Sequence, residues 1–344
     1  MDRQFPPEIV QLIVEASLDP FDPSDDLAFP RARYLALKSY SLINSIWRGI
    51  SEPLLCQWVV LWSEASTLNF LEAVEGKGRE AERVRGLYVW AGNSRDQSIP
   101  SKILKFTPHI SHLNLAFGRL DVNDLAPLQQ LRRLTTYRTT VGGSPASLTL
   151  ALPSLEYLSI TISFIEEPAA SHFLTPAFLP QLRYLDLSQS RRASSTQFLL
   201  RQLEAVEVLP GDDHFLTSTT NSLLLLRLPS DNADRIRMLS HLTSLPPFLS
   251  IDFECLHKSR GDERLRLEIH RVLEHLLTIT KAGLRVVLLR DLAVNGELGV
   301  VIERLEDRGI RVMREEKELT FLHAIERMEE ILEEERWEAE KAEV

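Results

Sequence analysis

Residues 155–160 read Leu-Glu-Tyr-Leu-Ser-Ile, and residues 182–187 read Leu-Arg-Tyr-Leu-Asp-Leu. Both stretches follow the pattern L-x-x-L-x-L, in which other aliphatic residues can replace leucine. A short strand of this kind buries alternate residues, and the leading aliphatic residue packs behind it. Each copy therefore predicts one short strand with an apolar face and an outward face made of the x positions.

The pattern recurs through the middle of the chain. The central aliphatic residues of successive copies are Leu87, Leu113, Leu134, Leu158, Leu185, Val206 and Leu226. Their spacings are 26, 21, 24, 27, 21 and 20 residues, inside the window of roughly 20–29 residues that is typical of leucine-rich repeats. The copies resemble that family, which implies short strands stacked in parallel.

The copies depart from the family pattern at one position. Leucine-rich repeats usually have Asn three residues after the last aliphatic residue, where it satisfies buried backbone groups at the turn. Gly118, Ser163 and Ser190 stand there instead. Beyond Ser230 strand patterns alternate with helical patterns at 264–282 and 297–308, which predicts parallel strands joined by helical crossovers.

The first 61 residues have a helical pattern and resemble an F-box of the kind found in fungal proteins. The residues that carry the resemblance are Phe5-Pro6-Pro7-Glu8-Ile9, Leu12, Ile13, Ser41-Leu42-Ile43-Asn44-Ser45-Ile46-Trp47, Glu52-Pro53-Leu54-Leu55 and Val59-Val60-Leu61. Phe5 stands where the family usually has Leu, and Asn44 stands where it usually has Cys. A buried Asn44 would need hydrogen-bond partners. Pro53 is expected to end the second helix.

The resemblance implies that this segment docks on a Skp adaptor, which connects it through a cullin scaffold to the ubiquitin-transferring enzymes. The residues implied to contact the adaptor are Phe5, Pro6, Ile9, Leu12, Leu42 and Ile43. The alternative is that the same apolar residues only hold a small helical unit against the repeats. Trp47 is expected in the internal packing in either case.

Composition excludes several other classes of protein. The chain has 344 residues, 44% hydrophobic and 26% charged, with a net charge of -10. Residues 315–344 contain twelve acidic and four basic residues, a net charge of -8. No basic patch dominates elsewhere in the sequence, so nucleic acid is a poor candidate partner. No stretch of about 18 apolar residues suggests a membrane span. With no apolar leader after Met1 and only Cys56 and Cys255, both expected to be buried thiols, we expect the cytoplasm or nucleus.

No motif indicates catalysis, so we expect no enzyme, cofactor or metal site. Gly-x-Ser-x-Gly and phosphate-loop motifs are missing from the sequence. His270 and His275 lie five residues apart, about 140° around a helix, which suits one metal poorly. His109 and His112 have no evident further ligands. Arg191-Arg192-Ala193-Ser194 fits a basic-directed kinase site, although a plain polar loop is the simpler interpretation.

These patterns predict an α/β protein, with a small N-terminal helical F-box (1–62), an irregular leucine-rich-repeat solenoid with parallel strands (63–314) and an acidic C-terminal helix (315–344). The last helix is expected to cap the final repeat with its first half and to project into water with its second. The predicted function is the substrate-recognition subunit of a Skp–cullin–F-box ubiquitin ligase. The alternative is a scaffold that binds proteins outside any ligase. Candidate substrate-binding residues are the outward strand positions His112, Asn114, Glu156, Ser159, Arg183 and Asp186.

Overall fold

The structure is a computed structural model of the chain. It describes residues 5–17, 28–76, 81–90, 99–143, 151–166, 169, 173–187, 191–192, 203–207, 223–229, 245–252, 270, 273–274, 276–277, 283–290, 296–315 and 320–342. They belong to two compact units, one made of residues 1–181 with 190–196 and the other of 182–189 with 197–344. The division falls inside the region predicted as a single repeat domain.

The helices and strands follow one another in an α/β order. The helices are α1 (Pro7–Ser17), α2 (Ala28–Ser41), α3 (Ser45–Gln57), α4 (Glu64–Gly76), α5 (Ile99–Phe106), α6 (Gly296–Glu306) and α7 (Phe321–Ala342). The strands are β1 (Trp58–Leu61), β2 (Gly86–Trp90), β3 (His112–Asp121), β4 (Arg133–Gly142), β5 (Tyr157–Thr161), β6 (Phe164–Ile165), β7 (Tyr184–Asp186), β8 (Arg191–Arg192), β9 (Ala205–Glu207), β10 (Leu225–Pro229), β11 (Phe248–Asp252), β12 (Val286–Arg290) and β13 (Arg311–Glu315).

The N-terminal helices pack around a small core of their own. Val10 and Val14 on α1 and Leu37 on α2 are fully buried, and Trp47 on α3 packs against them as predicted. Asn44 caps α3, because its side-chain oxygen accepts hydrogen bonds from the backbone N–H groups of Ile46 and Trp47 at 2.9 and 3.1 Å. The first N–H groups of α3 therefore supply the hydrogen-bond partners that Asn44 needs.

Two local predictions for this segment were wrong. Pro53 lies inside α3, which continues to Gln57 and ends where β1 begins. Cys56, in the last turn of α3, is exposed and not buried, and Cys255 lies outside the described residues. The apolar residues around Cys56 in sequence fall on other sides of the helix, since neighbours in a helical sequence point in different directions.

The first unit contains a parallel sheet in which β1 to β5 lie side by side in chain order. The central aliphatic residues of the repeats face one another across the strands: Leu87 pairs with Leu113, Leu113 with Leu134, and Leu134 with Leu158. All four are fully buried. The predicted repeat positions are thus confirmed here, including the poor copy that contains Leu134.

Hydroxyl groups occupy the positions where the leucine-rich-repeat pattern has asparagine, and they bond to the backbone there. The Ser163 hydroxyl accepts from the Thr139 N–H at 3.1 Å and lies 3.4 Å from the Thr136 carbonyl. The Thr139 hydroxyl in turn donates to the carbonyl of Leu115, one strand further along, at 3.2 Å. Thr139 and Ser163 are both buried, so these bonds satisfy backbone groups that water does not reach.

The second unit repeats the same arrangement. Strands β7, β9, β10, β11, β12 and β13 are parallel neighbours in that order. Their facing aliphatic residues are Leu185, Val206, Leu226, Leu249, Val287 and Val312. Gly283 and Gly309 have positive φ angles, 131° and 78°, just before β12 and β13. Glycine adopts this backbone without steric cost, which fits the predicted helix stops.

The predicted α/β class with parallel strands is confirmed, but each unit shows a parallel sheet and not a solenoid. A solenoid needs a regular return path between strands, and the described connections differ from one another. Helix α5 lies between β2 and β3, whereas a 3₁₀ turn at Val122–Leu125 lies between β3 and β4. Of the predicted helix at 264–282, residues 270, 273–274 and 276–277 are described, and they are helical.

Replacing Ser163 with Ala tests the hydroxyl network. The change leaves the buried Thr139 N–H without this acceptor, so the free energy of unfolding should fall by about 1–3 kcal/mol in urea denaturation. Ser154→Ala is the matched control, since the Ser154 hydroxyl donates to the Gln129 carbonyl at 2.8 Å at an exposed site. Water replaces that bond, and the loss should stay near 0.5 kcal/mol. Equal losses in the two variants would contradict the buried role of Ser163.

Candidate functional site

Six apolar side chains in and beside the N-terminal helices are exposed. We call Phe5, Ile9, Leu12, Ile13, Leu42 and Ile43 the N-terminal apolar surface. All six side chains are exposed, and those of Leu12 and Leu42 retain 61% and 73% of their accessible area. Pro6 is exposed beside them. All the residues implied to bind the adaptor therefore face solvent in this chain.

Helix α1 has apolar residues on two sides. Val10 and Val14 face the helical core, whereas Ile9, Leu12 and Ile13 face outward. The end of α1 is tied to the end of α2 by the Tyr40 hydroxyl, which donates to the Ser17 hydroxyl at 2.9 Å. Leu42 and Ile43 lie in the turn between α2 and α3. Exposed apolar groups of this kind commonly mark protein-binding sites.

The predicted substrate-binding residues of the first unit lie on β3 and β5 or just before β5, and they are not equally accessible. His112 and Asn114 are on β3, Ser159 is in register with Asn114 through Thr135 of β4, and Glu156 precedes β5. Asn114 and Thr135 are buried, and Ser159 is 1% exposed with its hydroxyl 3.1 Å from that of Thr161. Asn114 and Ser159 therefore belong to the packing of the sheet, which corrects their assignment to an open binding surface.

His112 is partly buried against an aromatic ring. Its imidazole lies 5.1 Å from the Trp58 ring, and its Nδ1 lies 2.8 Å from the Ser111 hydroxyl. Burial, with smaller contributions from Arg133 and Arg132, lowers the pKa of His112 to about 4. The ring is thus neutral at physiological pH and adds no positive charge to this face.

In the second unit, Arg183 and Asp186 are engaged within the fold. The Arg183 guanidinium donates two hydrogen bonds to the Glu204 carboxylate, at 2.9 and 2.6 Å, and lies 3.7 Å from Glu329. Hydrogen bonding to Glu204 is the main cause that raises the pKa of Arg183 above its ordinary value. Asp186 is only 5% exposed. The prediction of an accessible binding position is therefore corrected for Asp186, whereas the Arg183 side chain is paired but still partly exposed.

A row of buried polar residues continues from Asp186 across this sheet. Glu207 on β9 pairs with Arg227 on β10 in a buried ion pair, and Ser250 follows on β11. An ion pair removed from water is expensive to break, because removing one partner leaves an uncompensated buried charge. The outward face of the second sheet is therefore buried at these positions.

Helix α7 covers this face. It packs against β10, and its residues Phe321, Ile325 and Met328 are buried. The Tyr184 hydroxyl, which shares the face of Asp186, donates to the Glu329 carboxylate. Burial, followed by this hydrogen bond, raises the pKa of Tyr184 well above its ordinary value. The predicted helix is confirmed, and its first half lies against this sheet face.

The acidic half of α7 is largely in water, as predicted. Glu333, Glu334, Glu338 and Glu340 are exposed. Glu335 is different, since its carboxylate pairs with Arg285 at the start of β12. The helix is therefore held by apolar contacts along one stripe and by ion pairs at its edge.

The sequence interpretation missed four residues that the first sheet brings together. The Trp90 and Phe117 rings lie 4.7 Å apart, the Phe117 and Tyr137 rings 5.8 Å apart, and the Arg138 guanidinium lies over both Phe117 and Tyr137. Phe117 and Arg138 each stand two residues after the last aliphatic position of their repeat. Aligning the repeats at that position would have placed them side by side.

Other candidate chemistry remains unsupported in the described part of the chain. Among these residues no group of three or more His, Cys, Asp and Glu side chains could hold a metal ion, and no described helix is long and apolar enough to cross a membrane. His275 and Ser194 lie outside the described residues. A scan against models of known protein families finds no match, and a search of curated proteins finds no relative.

Replacing His112 with Phe should change how stability depends on pH. Below pH 6.5 the unfolded chain binds a proton at His112 that the folded chain does not bind until about pH 4. The wild type should thus lose up to about 3 kcal/mol between these values from this residue. His112→Phe keeps the ring contact and lacks this loss, so the stability difference between the two proteins should shrink or reverse as pH falls. A constant difference across urea titrations at pH 7, 5.5 and 4.5 would contradict a depressed pKa.

Replacing Ile325 with Ala tests the docking of α7. Ile325 is fully buried, so the cavity should lower the free energy of unfolding by about 2–4 kcal/mol. Amide hydrogen exchange in α7 should accelerate as well. Glu338→Ala, on the exposed side of the same helix, is the matched control and should change stability by less than about 0.5 kcal/mol. A loss that small for Ile325→Ala would mean that α7 is not held on the sheet.

Proposed function

We propose that this chain is the substrate-recognition subunit of a Skp–cullin–F-box ubiquitin ligase. The observation that carries the proposal is the N-terminal apolar surface, in which every residue implied to bind the adaptor is exposed. In this assembly the N-terminal helices dock on the Skp adaptor, and through it on the cullin. The sheet-bearing remainder of the chain binds a target protein.

The alternative role of these apolar residues is weakened by their burial pattern. If they only held the helices against the sheet, they would be buried. That task falls to other residues, since Val10, Val14 and Leu37 form the core and α3 leads directly into β1. Leaving six large apolar side chains in water is unfavourable by roughly 25 cal/mol per Å² of apolar surface. A partner that covers them would recover this free energy.

The repeats support assigning the rest of the chain to the leucine-rich-repeat class. Equivalent aliphatic residues are aligned from strand to strand at the spacing of that class. The hydroxyls of Thr139 and Ser163 make bonds of the type that the family's asparagine makes at the turn. An F-box followed by such repeats is a common pairing, so the two resemblances support each other.

The proposal is tested by purifying the chain with the Skp adaptor. The wild type should form a stable complex, and the double variant Leu12→Ala, Leu42→Ala should bind about 10–100-fold more weakly, since truncating two apolar anchors removes interface burial. Both side chains are exposed in the free chain, so the variant should keep its fold. Leu68→Ala, at an exposed leucine of α4, is the matched control and should bind like the wild type.

Each outcome of this experiment is decisive for one part of the proposal. Failure of the wild type to co-purify with the adaptor would refute the ligase role. Equal binding by the double variant would show that the interface lies elsewhere. Recovery of the adaptor without a cullin would favour the scaffold role. Proximity labelling with and without proteasome blockade then identifies targets, which should accumulate only when degradation is blocked.

A further inference from the structure

The four residues that the sequence interpretation missed form a continuous surface feature on the first unit. We call Trp90, Phe117, Tyr137 and Arg138 the aromatic–arginine ridge. It runs from the last residue of β2 across the middle of β3 and β4. The three aromatic side chains are partly exposed, and Arg138 is exposed.

The backbone beneath the ridge has an uncommon conformation. Phe117, Arg138 and Ile162 have positive φ angles of 61°, 49° and 50°, and they occupy equivalent positions on β3, on β4 and immediately after β5. This conformation costs a residue with a side chain about 1–3 kcal/mol and occurs more often at binding sites. Here it places a column of side chains, Phe117, Arg138 and the exposed Ile162, across neighbouring strands of the sheet.

The Arg138 guanidinium stacks on two aromatic rings. Its guanidinium carbon lies 5.6 Å from the centre of the Phe117 ring and 5.4 Å from that of Tyr137. No acidic side chain in the described part of the chain pairs with it. The nearby Arg119 differs, because Glu166 accepts two hydrogen bonds from it at 2.9 and 2.6 Å. Stacking on the rings reduces the entropy that Arg138 would lose on binding an anion.

The positions of this sheet face that are paired in register before the ridge carry no acidic side chain. Acidic residues lie beyond the ridge, where Asp121 ends β3 and Glu166 pairs with Arg119. The positions on this face are Trp58, Val60, Gly86, Tyr88, Trp90, His112, Asn114, Ala116, Arg133, Thr135, Tyr137, Tyr157, Ser159 and Thr161. Arg33 adds a cation over the Trp58 ring, 6.0 Å from its centre.

We propose that the aromatic–arginine ridge binds an acidic peptide segment of the target protein. A carboxylate of the peptide pairs with the Arg138 guanidinium, and a neighbouring apolar side chain packs on Trp90 and Phe117. This inference rests on the proposed function, because it assigns the target class to the same subunit. Single-stranded nucleic acid also stacks on aromatic rings, but the negative charge of the chain opposes it.

The experiment uses the full-length chain without added adaptor, so that it can be read whether or not the chain binds the adaptor. A phage-displayed library of random peptides is selected against the wild type, Arg138→Glu and Arg83→Glu. Arg83 is an exposed arginine of the same unit outside the ridge, so its reversal makes the same change in net charge. The wild type and Arg83→Glu should both select peptides enriched in Asp and Glu next to aliphatic or aromatic residues. Arg138→Glu should lose that enrichment and bind the selected peptides at least about tenfold more weakly.

The outcomes separate this inference from the proposed function. Peptides without acidic enrichment, or the same peptides selected by Arg138→Glu, would overturn the ridge as an acidic-peptide site. A fluorescent oligothymidylate that binds the wild type but not Arg138→Glu, with no peptide selected, would overturn it in favour of nucleic acid. Adaptor binding is measured in the same preparations. It should be equal in all three proteins, so its loss would bear on the N-terminal apolar surface and not on the ridge.

Discussion

The alignment of central aliphatic residues across parallel strands is the interaction on which the rest of this structure depends. A single strand of four or five residues cannot bury its own apolar face, so each repeat is stable only against its neighbours. Leu87, Leu113, Leu134 and Leu158 meet in this way in the first unit. A slip of one residue in any strand would turn its leucine to the opposite face. The register therefore determines which residues form the core and which remain available for binding.

In each unit, the sheet face opposite the aliphatic core carries polar residues, and these residues differ between the units. In the first unit, small polar side chains such as Asn114 and Ser159 sit low in the face. The accessible side chains of this unit include Trp90, Phe117, Tyr137 and Arg138 of the ridge. In the second unit, the corresponding face carries the buried Glu207–Arg227 pair and is covered by α7. The two units thus follow the same strand pattern but differ in the side chains that this face carries.

The N-terminal helices present the converse situation, in which apolar residues outnumber the interior positions available. Three short helices have too little volume to bury both sides of α1. Val10 and Val14 satisfy the core, and Ile9 and Leu12 remain outside. Asn44 strengthens this arrangement, because its cap defines where α3 begins and leaves Leu42 and Ile43 in the preceding turn. These exposed residues are the ones on which the proposed docking of the adaptor rests.

The sequence by itself determined the strand positions, the α/β class, the glycine helix stops and the identity of the N-terminal apolar residues. These follow from local periodicity and backbone preference, which act over a few residues. Tertiary structure alone decided which outward positions are accessible. Tyr184 and Glu329 are 145 residues apart in sequence, and no local pattern near Arg183 or Asp186 indicates that a distant helix covers them. The register of β2, β3 and β4 likewise brings the four side chains of the ridge together. These residues are distant in sequence, so only the pairing of the strands makes them neighbours.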